Sequence, residues 1–136
     1  MLPILTIVLH FFWPINRIIP AQFNYLGWGF ILLGVVLNIW SAKVLKEQKT
    51  TINFHETPNS LVVTGPFSRS RNPIYLSGVI LFFGLAILLG SVITFLFPIA
   101  LLLILDRLYI PSEEMSLEKT FGRRYLDYRN RVRRWI

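Results

Sequence analysis

Apolar residues along this chain gather into four long stretches, separated by short breaks and one polar loop. The first stretch runs 2–19 and contains Pro14, which predicts a kink or an early end, because proline removes a backbone donor and crowds the preceding turn. The second runs 25–42, where Gly27, Gly29 and Gly34 offer a small-residue face for close helix contact. The third, 74–89, and the fourth, 91–110, are separated only by Gly90-Ser91, and so tight a turn predicts an antiparallel hairpin. At 1.5 Å per residue the third covers about 24 Å, slightly short of a bilayer core of roughly 30 Å. Local thinning of the bilayer, or burial among neighbours, accommodates such a helix. The pattern predicts an all-α membrane protein of about four transmembrane helices, a single domain over 1–136, with a cytoplasmic loop and a C-terminal amphipathic helix. A soluble hairpin with a buried core is the alternative.

The last segment, 113–136, is patterned differently. Leu117, Phe121, Tyr125, Tyr128, Val132 and Trp135 recur at intervals of three and four residues, which is one stripe of a helix. Around them lie Glu118, Lys119, Arg123, Arg124, Asp127, Arg129, Arg131, Arg133 and Arg134. A basic amphipathic helix at the membrane surface, or packed on the cytoplasmic ends of the spans, fits this pattern.

Composition sharpens the picture. Hydrophobic residues make up 54% and charged residues 15%, with a mean hydropathy of +0.55; soluble domains carry about 25% charged residues. Lipid is therefore the expected main solvent. There are no cysteines, so disulfides and thiolate metal sites are excluded. The net charge of +7 raises nucleic acid as a partner, but the distribution argues otherwise. All but one of the 14 Lys and Arg residues, the exception being Arg17, lie in 43–72 and 107–136, beside apolar spans. Juxtamembrane cations of this kind fix topology and meet anionic headgroups. Four spans put both basic segments on one side, and the positive-inside rule makes that side cytoplasmic, together with both termini. No Lys or Arg precedes the first apolar run and no small-x-small site follows it, so it reads as a retained helix rather than a cleaved signal.

Polar groups able to support chemistry lie on the side assigned to the cytoplasm. The loop 48–73 is too polar to span and too rich in Pro, Gly and Ser to be one helix. Loops this long in so small a protein are usually functional or disordered, and Leu61, Val62, Val63 and Phe67 predict a packed one. Gly65-Pro66-Phe67 signals a turn. Pro73 suits the first position of a helix, which makes Asn72 a natural N-cap, with a ligand role also open. Glu113 and Glu114 cannot share a helix face, so one carboxylate can enter a site while its neighbour meets water or the arginines. They also suit a helix start capped by Ser112. His10, in an apolar span, reads as a hydrogen-bonded packing residue. His55 in the loop is a candidate general base, and Arg107 is the other candidate catalytic residue. The two histidines are too far apart in sequence for a convincing metal site, and no phosphate-binding glycine loop or Ser-His-Asp arrangement is present.

Two segments carry a resemblance. Leu61-Val62-Val63-Thr64-Gly65-Pro66-Phe67, followed by Arg71-Asn72-Pro73-Ile74-Tyr75-Leu76-Ser77-Gly78, resembles the loop of the isoprenylcysteine carboxyl methyltransferase family, roughly LVxxGPYxxxRHPxYxG. The run Glu113-Glu114, Leu117, Phe121-Gly122, Tyr125 and Tyr128 is similar to that family's EExxLxxxFGxxYxxY signature. The likeness extends over 25–136, and the phospholipid N-methyltransferases share the architecture more loosely. It implies an enzyme that transfers a methyl group from S-adenosylmethionine to a lipid-like or prenylated acceptor held in the bilayer. It also implies that Asn59, Ser60, Leu61, Val62, Phe67, Asn72, Pro73, Ile74 and Tyr75 line the cofactor and that Glu113 holds its amino group. An aromatic ring, Phe67 or Tyr75, would face the sulfonium. Two departures stand out: the histidine of the family's RHP is Asn72 here, and the VPR-like ending is Val132-Arg133-Arg134 without the proline. A nicotinamide-dependent reductase resembling the sterol reductases and a non-catalytic scaffold are the alternative functions.

Overall fold

A computed structural model describes residues 2–12, 17–49 and 60–136. The described residues are helical, with no strand; an isolated bridge joins Arg17 and Ser91. Four apolar helices come first: α1 (Leu2–Phe12), α2 (Leu26–Glu47), α3 (Pro73–Leu89) and α4 (Val92–Ile104). A π turn, Leu105–Tyr109, carries α4 directly into α5 (Ile110–Phe121), and α6 (Arg123–Arg131) follows. Short 3-10 turns occupy Ala21–Phe23 and Gly65–Ser68.

Two of these helices are long and apolar enough to cross a bilayer, Ala21–Glu47 and the continuous run Val92–Phe121. The described part of α1 is 11 residues, about 16 Å, and α3 is 17 residues, about 25 Å. The first helix does not reach the end of the stretch 2–19, since 17–20 are not helical; Pro14, where a kink or an early end is expected, lies outside the described residues. The chain divides into two compact units, one of 1–35 with 77–104 and one of 36–76 with 105–136.

In the first unit, small residues set the approach of α2 and α3. A Cβ added at Gly84 would stand 2.8 Å from the Gly27 carbonyl oxygen, and one at Gly34 would stand 3.0 Å from the Ser77 carbonyl oxygen. Backbones this close gain dispersion and leave no room for a side chain. Gly29 belongs to the other side of α2, with nothing within 4 Å, so the expected small-residue face consists of Gly27 and Gly34 alone. The hairpin is as expected. Gly90 turns the chain at φ +69, Thr94 donates its hydroxyl to the Ser91 carbonyl at 2.6 Å, and Phe83 meets Phe95 edge to face at 5.6 Å. His10 is the hydrogen-bonded packing residue anticipated, its Nδ1 lying 2.9 Å from the Ser91 hydroxyl.

The second unit holds the loop and the tail. Gly65 takes φ +60, a conformation that favours glycine, and a Cβ there would stand a tight 3.1 Å from the Val44 side chain. Ser68 closes the 3-10 turn by donating to the Gly65 carbonyl at 2.6 Å. The expected single amphipathic helix over 113–136 is corrected at its start and near its middle. Its first turn is the continuation of α4 through the π turn, so Ser112 caps nothing. Gly122, at φ 56 and ψ −124, then breaks it into α5 and α6. The stripe itself survives the break: Leu117, Phe121, Val132 and Trp135 are half-buried, Tyr125 and Tyr128 are buried, and the charged positions around them are exposed except Arg134.

Candidate functional site

The loop, the start of α3, α5 and the tail meet within the second unit. Ser60 donates its hydroxyl to the Gln48 carbonyl at 3.0 Å, and Gln48 donates its side-chain amide to the Thr64 hydroxyl at 3.0 Å. These bonds tie the loop to the end of α2. Val62 and Phe67 are buried, Leu61 is half-buried and Val63 is exposed, so 60–72 is the packed loop that its apolar residues predict. Beneath the turn, Tyr128 donates its hydroxyl to the Phe67 carbonyl at 2.6 Å. Burial pushes the Tyr128 and Tyr125 hydroxyls above the usual tyrosine range; for Tyr125 the Glu114 charge adds to burial and the Arg71 charge opposes it.

The adjacent carboxylates part company as helix geometry requires. Glu114 is buried between two cations: Arg71 Nη1 stands 3.0 Å from its Oε1, and Arg134 Nη2 stands 2.7 Å from its Oε2. Arg134 also reaches Asp106 Oδ1 at 3.1 Å, so two arginines balance two carboxylates. The pair Arg71–Glu114 is about nine-tenths buried, where removing one partner costs about 3–5 kcal/mol. Glu113 faces elsewhere. Its Oε1 accepts the Tyr75 hydroxyl at 2.6 Å, and no cation pairs with it among the described residues. One carboxylate is thus neutralised twice, and its neighbour is left with a tyrosine.

Asn72 stands just before α3, where an N-cap belongs, and its carbonyl accepts the Leu76 N–H at 2.9 Å. Its side chain, however, donates to the Arg134 carbonyl at 3.1 Å instead of capping. Pro73 is buried, and Ile74 and Tyr75 are half-buried. Arg107, on the π turn, is 77% exposed, with Asp106 Oδ2 at 3.8 Å its ion-pair partner; no hydrogen bond joins it to Tyr75 or Glu113. Asn59 and His55 lie outside the described residues. No metal-binding cluster occurs among the described residues. Sequence reasoning missed Arg71, Asp106 and Arg134 as a structural unit. Arg134 was counted on the charged face because helix periodicity was carried past Arg131, where α6 ends.

Two comparisons with known proteins bear on this arrangement. The chain is 33% identical over 63 residues to an uncharacterized protein of Haemophilus influenzae, a match that covers 46% of this chain and 100% of the relative. The phospholipid methyltransferase family matches residues 23–124, a stretch that takes in the polar loop, the hairpin and both glutamates. With well over half of its length matched, and two helices fit to cross a bilayer, the chain belongs to the phospholipid methyltransferase family, a family of membrane methyltransferases.

Proposed function

We propose that this protein uses S-adenosylmethionine to methylate a lipid-like or prenylated acceptor at the cytoplasmic face of a membrane that it crosses four times. The observation that carries the cofactor reading is the Glu113 carboxylate: half-buried, held at one oxygen by Tyr75, and without a cation among the described residues. A partly desolvated anion in that condition suits a cationic ligand group, and the ammonium of S-adenosylmethionine supplies one. Arg71 Nε, buried and without a partner among the described residues, is a second unsatisfied group of the same unit, and its chemistry suits a ligand's carboxylate. The residues therefore fit this group.

When bound, the cofactor brings an already activated methyl on a sulfonium, so the chain itself need supply no covalent intermediate. The chain's task is to hold the acceptor near the methyl, at about 3 Å, and to exclude water. Tyr75, half-buried at the first turn of α3, is better exposed to a ligand than Phe67, which is 9% exposed and sits over Tyr128. Residues 43–72 and 107–136 face the cytoplasm in this reading, on the strength of their lysines and arginines.

Membranes with and without the protein, incubated with methyl-labelled S-adenosylmethionine, test the reading. Label should enter the organic-extractable fraction only where the protein is present, and should fall when Glu113→Gln replaces the natural chain. Binding of a nicotinamide cofactor, with no labelled lipid, would favour a reductase instead.

A further inference from the structure

Beyond α6 the chain becomes extended, Val132 taking φ −120 and ψ 128. Residues 132–136 bind two walls of the second unit at once. On the loop side, the Arg71 N–H donates to the Arg133 carbonyl at 3.0 Å, and the Asn72 side-chain amide donates to the Arg134 carbonyl at 3.1 Å. On the helix side, Arg134 places Nε at 3.2 Å and Nη2 at 2.7 Å from the Glu114 carboxylate, while Nη1 reaches Asp106 Oδ1 at 3.1 Å. The Trp135 indole N–H donates to the same Asp106 oxygen at 3.1 Å.

We propose that residues 132–136 form a strap that sets the spacing of the cofactor site, with Arg134 as its positioning residue. The inference rests on the reading that Tyr75 and Glu113 belong to that site. Neither residue touches the strap through any bond described above, yet both are carried by what it holds. Asn72 precedes the helical turn that bears Tyr75, and Glu114 is the next residue after Glu113. A planar guanidinium that forks onto one carboxylate and reaches a second fixes orientation as well as distance, which an ammonium on a flexible stem does not. Its backbone carbonyl simultaneously fixes Asn72. One residue thereby couples the start of α3 to α5, and the Tyr75–Glu113 hydrogen bond of 2.6 Å spans the same two helices.

The full chain in lipid nanodiscs tests this with R134A and R134K, using hydrogen–deuterium exchange and calorimetric titration with S-adenosylmethionine. In R134A, exchange at the Arg71 amide, whose N–H donates to the strap's Arg133 carbonyl, should rise by at least about tenfold while the interior of α3 stays protected. The dissociation constant should rise roughly ten- to a hundredfold, the loss expected for one charge-assisted hydrogen bond. R134K should restore exchange protection in part, since unlike R134A it keeps the charge, though not the fork. A uniform rise in exchange through α3 and α5 would make Arg134 a general stabiliser and overturn the positioning role. So would unchanged exchange at Arg71, or unchanged affinity. If the natural chain binds no S-adenosylmethionine, the cofactor reading fails, and the exchange measurement alone then decides whether the strap exists.

Discussion

Tyr128 carries its hydroxyl into a nearly closed environment, 3% exposed, to donate to the Phe67 carbonyl at 2.6 Å. Tyr128→Phe keeps the ring but strands that carbonyl, so it should lower stability by about 1–3 kcal/mol in thermal or denaturant unfolding. An unchanged midpoint would mean that the bond contributes nothing. Because burial holds both Tyr125 and Tyr128 protonated beyond the usual range, their contribution is complete below a pH of about 10, the ordinary tyrosine value. It is lost as pH rises through their raised folded-state values. The inward direction of both rings was legible in the sequence, since they sit on one helical stripe. The division of labour between Glu113 and Glu114 was legible only as geometry: adjacent carboxylates must diverge. Which arginines would meet Glu114 depended on Arg71 and Arg134, far apart in the chain, and no local pattern joins them.

Among the elements, α2 and α3 show most directly how a glycine's sign depends on its neighbours. Alanine in a helix interior gains up to about 1 kcal/mol over glycine through reduced backbone entropy. Gly29 and Gly78 have nothing within 4 Å of an added Cβ, so Gly29→Ala and Gly78→Ala should be neutral or stabilising. Gly84 has the Gly27 carbonyl oxygen and the Ile31 nitrogen at 2.8 Å, both backbone atoms that cannot turn aside. Gly84→Ala should therefore destabilise by about 1–3 kcal/mol, read as a lower melting temperature in detergent. A rise in that temperature would show that the two helices do not approach so closely. The glycines advertised a close contact in the sequence; which of them faced α3 required knowing the helix rotation. Likewise the tail's apolar stripe forecast its buried face, while its unbroken spacing hid the break at Gly122, although a glycine there is a local signal of one. The π turn at Leu105–Tyr109 was invisible too, because its hydrophobic pattern continues that of α4.

For the molecule as a whole, apolar stretches forecast an all-helical chain, and the described residues are helical throughout the regions those stretches cover, apart from 17–19, Tyr25 and Ser91. Length set the limit of that forecast, since helical pattern and helical extent are separate properties, and among the described residues two helices are long enough on their own to cross a bilayer. The four-span topology predicts that reporters fused at Gly90 and after Ile136 report opposite sides, with Ile136 cytoplasmic; a cytoplasmic signal at Gly90 would rule it out. The central claim, that Glu113 receives the cofactor, meets its most direct test in calorimetric titration of the natural chain, Glu113→Gln and Glu114→Gln with S-adenosylmethionine. A hydrogen bond between charged groups contributes about 1.5–3 kcal/mol, so Glu113→Gln should weaken binding by roughly ten- to a hundredfold at about 1.4 kcal/mol per decade. Glu114→Gln keeps an oxygen that can accept from Arg134, and should cost more stability than affinity. A larger loss of affinity in folded Glu114→Gln than in Glu113→Gln, or no loss in Glu113→Gln, would contradict the assignment.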